Sequence, residues 1–150
     1  ITIYQKGVII MYEMKPEYYT GIAAIDQEHT RLFELAQETH SLLTNDTLLD
    51  KADSLVHLIS ELINYTRTHF SHEEEYQRSI GYTGIEEHAA MHRKFEDKLS
   101  EFDFDSLGED FNSQNETVEE LLGFLTTWLI THILQADMLY VKEGKAGKTI

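Results

Sequence analysis

Only one proline interrupts this chain, at position 16, and the residues beyond it repeat their apolar side chains at spacings of three, four and seven. Proline breaks helices because it lacks an N–H and its ring collides with the preceding turn. A long stretch without it, patterned at the period of an amphipathic helix, restricts the fold to packed helices. The 41% apolar content and the eight glycines agree with a folded helical chain, since disordered and turn-rich sequences carry more of both breakers.

Between Ile25 and Leu43, the residues Ile25, Leu32, Phe33, Leu35, Ala36, Leu42 and Leu43 form one stripe, which "LLTND" breaks. A second helix is expected from about Asp50 to Ile80, with Leu55, Leu58, Ile59, Leu62, Ile63 and Phe70 inside and Gly81 as its stop. "TGIE" at 83–86 has the form of a capping box, Thr83 with Glu86, and predicts a third helix over Gly84 to Phe102. "SQNE" at 113–116 supplies a second box for a fourth helix through Lys142, with Gly144 beyond its end. Four helices with short connections predict an all-α, up-down-up-down antiparallel four-helix bundle. The chain then divides into residues 1–11, a tail or linker remnant, 12–143, the bundle with a short N-terminal extension, and 144–150, a C-terminal tail.

The 27 Asp and Glu against 12 Lys and Arg leave a formal charge of -15. Such a surface repels phosphate backbones and anionic lipid heads, so no nucleic acid or membrane partner is expected. No run approaches the ~18 apolar residues of a membrane helix. Cysteine is absent, which removes disulfides and thiolate metal sites and suits a reducing cytoplasm, the expected location. Asp103, Asp105 and Gly108 echo a calcium loop, but Leu107 and Gln114 stand where that motif needs oxygen ligands, so calcium is set aside.

The chemistry concentrates in histidine. His69 and Glu73 are four residues apart, as are His88 and His92 on the next helix. That spacing stacks side chains on one face, about 40° apart around the axis, and two stacked imidazoles can share a metal. His29 falls on the first helix and His132 on the fourth, so every helix offers at least one histidine. Bundle cores hold dinuclear metal sites because facing helices project ligands inward. Asp137 lies five residues after His132. On an ideal helix that is about 140° away, so either a π-bulge or a reach from the flank must bring it to the stripe. The apolar run from Leu121 to Ile133 makes an unpaired Asp there costly. Taken singly each histidine is more simply a surface or core residue; taken jointly they point to a metal site. His40, His57 and His72 fall outside the pattern and read as surface residues, with His72 nearest the site. Glu74 and Glu75, about 100° and 200° around from Glu73, read as solvated charges.

The set His29, His69-x-x-x-Glu73, His88-x-x-x-His92 and His132-x-x-x-x-Asp137 resembles the hemerythrin family, specifically bacterial hemerythrin domains. The flanking words "IDQEH..LF", "HFxxEE" and "WLxxHI" match as well, the likeness covers about residues 12–142, and all seven ligand positions are filled. Tyr12 stands where many relatives have a Trp. Myohemerythrin is itself a bundle of the expected topology. The resemblance implies two irons, one held by His88, His92 and His132 and the other by His29 and His69. Glu73 and Asp137 would bridge them together with an oxo or hydroxo group, and one iron would keep an open position for dioxygen. Imidazole and carboxylate ligands suit iron, and by ligand type zinc or manganese as well, whereas copper(I) would favour sulfur.

Trp128 and Leu129, four and three residues before His132, share its face and with Phe70 and Ile133 are expected to line an oxygen pocket, a role compatible with ordinary core packing. The leading function is therefore reversible dioxygen binding, for storage, delivery or sensing, and not an enzyme. An oxidase or peroxidase is the first alternative. Ferritin-like di-iron enzymes use Glu-x-x-His twice, a word this sequence lacks, and the ligand set is poorer in carboxylate. A regulatory module with a fused or separate signalling partner is the other.

Overall fold

The structure, a computed structural model, describes residues 12–45, 51–102 and 111–148. Its helices follow the apolar stripes: α1 (Ala23–Leu43), α2 (Ala52–Ser79), α3 (Ile85–Leu99) and α4 (Phe111–His132). A five-residue π turn, Ile133–Asp137, joins α4 to α5 (Met138–Lys148) without interrupting the helical backbone. The described residues contain no strand, and no helix among them is long and apolar enough to cross a membrane. The start of α1 meets the end of α2 at His29 and His69, and the start of α3 meets the end of α4 at His88 and His132. Successive helices therefore run in opposite directions, as the expected bundle requires.

Leu32, Leu35, Leu55, Leu62, Leu121 and Leu122 are fully buried in one apolar cluster. Each such leucine is worth roughly 1.5–3 kcal/mol relative to exposure. Three threonines share this core without an unmet hydroxyl. Thr39, Thr66 and Thr126 donate to the carbonyls of Leu35, Leu62 and Leu122 one turn back, at 2.8, 2.7 and 2.6 Å.

Short devices fix the helix ends. Pro16 opens a 3₁₀ turn, Pro16–Tyr18, and Tyr18 stacks on Phe33 at 5.7 Å. Asp26, in the first turn of α1, then accepts from the Thr20 N–H and hydroxyl, both at 2.8 Å, and from the Gly21 N–H at 3.0 Å. At the far end of α1, the buried Lys51 ammonium donates to the carbonyls of Leu43 and Asn45, where the helix carries partial negative charge. Tyr12 is buried against His40 at 5.3 Å, so His40 is half-covered rather than a plain surface residue. Gly81, with φ 64°, ends α2 as expected: the Tyr82 N–H reaches the Gln77 carbonyl at 2.9 Å and the Gly81 N–H that of Arg78 at 3.1 Å.

Several boundaries differ from the sequence expectation. The Thr83–Glu86 box does not form. The N-cap of α3 is Gly84, and Thr83 instead donates its N–H and hydroxyl to the Glu143 carboxylate on α5, at 2.9 and 2.5 Å. A charged acceptor is the stronger partner. The third helix stops at Leu99 rather than Phe102, with the Ser100 N–H closing on the Glu96 carbonyl. Helix α4 already runs at Phe111, which puts Ser113 inside its first turn and not at a cap. The last helix passes through Gly144 to Lys148, beyond the end expected at Lys142. Gly144 packs there, a Cβ on it lying 3.6 Å from the Ile80 side chain. Residues 1–11 and most of the calcium-like stretch, including Asp103, Asp105 and Gly108, lie outside the described residues.

Candidate metal centre

Alternating helix directions decide where the polar residues meet. His29 lies near the start of α1, His69 and Glu73 near the end of α2, His88 and His92 near the start of α3, and His132 at the end of α4. All therefore fall at one end of the bundle. His29, Glu73, His92 and Asp137 are completely buried, and His69, His88 and His132 nearly so.

The side chains form two groups. One ligand atom from each of Glu73, His88, His92 and His132 lies within 4.8 Å of the others, and the same holds for His29, His69 and Glu73. The Nε2 atoms of His29 and His69 are 3.1 Å apart, and that of His132 is 3.2 Å from His92 and 3.0 Å from His88. Glu73 belongs to both groups through different oxygens. Its Oε1 is 2.5, 3.7 and 3.8 Å from the Nε2 atoms of His88, His92 and His132. Its Oε2 is 2.8 and 3.9 Å from those of His69 and His29.

Asp137 spans the groups in the same way. Oδ1 lies 3.3 Å from His88 and 3.1 Å from His132, while Oδ2 lies 3.4 Å from His29. The π turn makes this reach possible, because the extra residue rotates position 137 back onto the face of His132. Of the two routes open from sequence, the structure takes the bulge.

Burial and charge oppose each other throughout. Burial disfavours protonation of His29 and His88, but Asp137 and Glu73 outweigh it and hold both up at about 9, from an ordinary 6.5. In His92 burial wins and pushes the imidazole down to about 4. Burial also works against ionised Glu73 and Asp137; the surrounding imidazoles nevertheless keep both below the usual carboxylate range. Glu73 Oε2 and both Asp137 oxygens are buried without a hydrogen bond. Inward-facing imidazole nitrogens around two such carboxylates fit a pair of cations bound by nitrogen and oxygen.

The expected wall residues separate into two kinds. Phe70 lies parallel to the His92 ring at 3.8 Å, and Trp128 parallel to His132 at 4.3 Å. Leu129 and Ile133 are buried in the apolar cluster, Leu129 beside a small void with Leu32, Thr66, Phe95, Leu125 and Trp128. Trp128 and His132 also border an open groove of about 550 Å³ between α3 and α4.

Two carboxylates were not legible as part of the site. Glu74, expected to be solvated, is buried: His92 donates from Nδ1 to its Oε2 at 2.9 Å, and Arg93 donates to its Oε1 at 3.1 Å. Its phase turns it away from Glu73, but toward α3 rather than toward water. Glu28 accepts from the Nδ1 atoms of His69 and the exposed His72, at 2.9 and 2.5 Å. Glu75 and His57 are exposed as expected. Tyr140 was also missed. It is fully buried with its ring 5.7 Å from that of His88, and burial holds its phenol far above its ordinary pKa.

A family model described as the hemerythrin HHE cation binding domain matches residues 20–143. The chain is 38% identical over 131 residues to the bacteriohemerythrin of Clostridium acetobutylicum, covering 87% of this chain and 99% of that one. It is 32% identical over 126 residues to the bacteriohemerythrin of Stenotrophomonas maltophilia, covering 84% and 76%. Hemerythrin subunit 1 of Golfingia vulgaris is 28% identical over 138 residues, covering 89% and 92%. No solved structure matches the chain significantly.

Proposed function

The chain belongs to the hemerythrin family, and on that premise we propose that it binds dioxygen reversibly at a non-haem di-iron centre, for storage, delivery or sensing rather than catalysis. The observation that carries this reading is the split of two buried carboxylates between two imidazole groups, Glu73 through Oε1 and Oε2 and Asp137 through Oδ1 and Oδ2. His88, His92 and His132 would hold one iron and His29 and His69 the other, with Glu73 and Asp137 each offering one oxygen to either group.

When bound, the iron pair would supply the electrons that dioxygen binding needs. The chain supplies the rest. Phe70 and Trp128 lie flat against His92 and His132, fixing those rings and covering one face of each. Leu129 and Ile133 continue the apolar wall. Five imidazoles with two carboxylates, and no Glu-x-x-His, support carriage over oxidation.

The test is elemental analysis with an absorption spectrum of the reduced protein before air, after air and under vacuum. Two irons per chain and a charge-transfer band that appears in air and vanishes under vacuum are expected. Stoichiometric zinc from iron-replete cells would overturn the metal assignment. Turnover of an added reductant without a recoverable band would make the protein an oxidase.

A further inference from the structure

Five imidazoles point Nε2 inward, and two of them are held from behind by a carboxylate. His69 donates from Nδ1 to Glu28, and His92 from Nδ1 to Glu74, each at 2.9 Å. A carboxylate can only accept here, so each places the proton on Nδ1 and leaves the Nε2 lone pair facing the site. The two stand in different halves: His69 with His29, and His92 with His88 and His132. They are also anchored differently. Glu74 is held by the Arg93 guanidinium at 3.1 Å, with Arg78 at 3.8 Å, whereas the second oxygen of Glu28 meets the exposed imidazole of His72.

Building on the two-ion reading above, we propose that Glu28 and Glu74 are positioning residues, each serving one metal ion, so that the two ions are held with separately adjustable affinity. The half built from three imidazoles and the arginine-anchored Glu74 takes the first ion more tightly. The half built from two imidazoles and Glu28 takes the second. Loss of such an outer partner ordinarily weakens metal binding about 10–100-fold, because the imidazole is then free to rotate and to hold its proton on the wrong nitrogen.

The experiment is an anaerobic titration of chelator-stripped protein with cobalt(II), followed by its absorption bands against a competing chelator. The parent should take up two ions in two steps. Glu74→Ala should weaken the first step about 10–100-fold and leave the second near its parent value, and Glu28→Ala should do the reverse. Glu74→Gln and Glu28→Gln keep side-chain size and one acceptor oxygen, so each should shift the same step by less. They carry the test if circular dichroism shows that an alanine variant does not fold. A parent that binds fewer than two ions overturns the two-ion reading and this inference with it. A parent that binds two, with variants that shift both steps equally or neither, overturns this inference alone.

Discussion

Where α2 begins and α4 runs through its middle, Leu55, Leu62, Val118, Leu121 and Leu122 are buried without exposed surface. Where the same rods finish, His69, Glu73, His132 and Asp137 are buried almost as deeply, among charges. The first end needs nothing beyond the chain, because burying carbon is favourable wherever it packs. The second end gains little from its own ion pairs, since desolvation consumes most of their attraction. One end therefore decides whether the chain folds. The other decides how far the folded chain depends on a bound cation.

The sharpest way to break this division is to remove carbon from the apolar end. Leu121→Ala should lower unfolding free energy by about 2–5 kcal/mol, through lost transfer energy and the cavity left behind. The loss should be the same with iron bound or removed, as read by urea denaturation of both forms. A loss confined to the iron-loaded form would mean that the two ends are one cooperative unit.

Glu73→Ala attacks the other end. It removes one of the two carboxylates that reach both imidazole groups, so iron content should fall well below that of the parent. The parent should gain about 2.7 kcal/mol from free metal at one hundred times its dissociation constant, by mass action alone. The variant should show almost none of that gain in a thermal melt. Unchanged iron in the variant would mean that Glu73 is not a bridge.

The apolar end should also be indifferent to pH, while the metal-free polar end should not. Burial opposes the protonated forms of His29 and His88, but Asp137 and Glu73 raise both to about 9 from 6.5. A raised folded value favours the folded state fully below the unfolded value, and the benefit is lost as pH climbs through the folded one. Metal-free protein should thus lose stability between about pH 6.5 and 9. Melts of the metal-free and iron-loaded forms across that range test the point, and a metal-free form flat in pH would show that these imidazoles are neutral.

How much of this the sequence carried depends on whether a relation lies within one helix or between two. Spacing of four placed His69 with Glu73 and His88 with His92, and the stripes placed the leucines, because the period of a helix is fixed by its backbone. Asp137 needed a departure from that period, and sequence could narrow the answer only to a bulge or a flank reach. Relations across helices stayed hidden from spacing, and the grouping of the five histidines came only with the family resemblance. Glu74 meets His92 across 18 residues, Glu28 meets His69 across 41, and Thr83 meets Glu143 across 60. Helix phase gives the direction a side chain leaves its own axis, and not which neighbour stands there. The capping box of Thr83 failed for the same reason: a local partner was visible and the better distant one was not.

The smallest expected effect lies on the seam between the two ends. Leu129 is buried one turn before His132, in contact with the apolar cluster on one side and next to Trp128, which covers the His132 ring. On the proposed reading its bulk completes the apolar wall beside Trp128. A polar amide there meets leucines and aromatics and, as polar neighbour at the void, the Thr66 hydroxyl already bonded to Leu62, and a buried polar group left partly unmet recruits water where there is room. Water admitted there would bring a proton source toward the metal site and shorten the life of an oxygenated form. Leu129→Asn should therefore keep its iron while the oxygenated form decays several-fold faster, a change of about 1 kcal/mol in barrier. Exposed Glu119, in the first half of α4, supplies the control: Glu119→Gln should change neither. Stopped-flow decay of the charge-transfer band in parent and both variants makes the comparison. Equal rates in all three would put Leu129 wholly with the apolar end and leave Phe70 and Trp128 as the wall of the site.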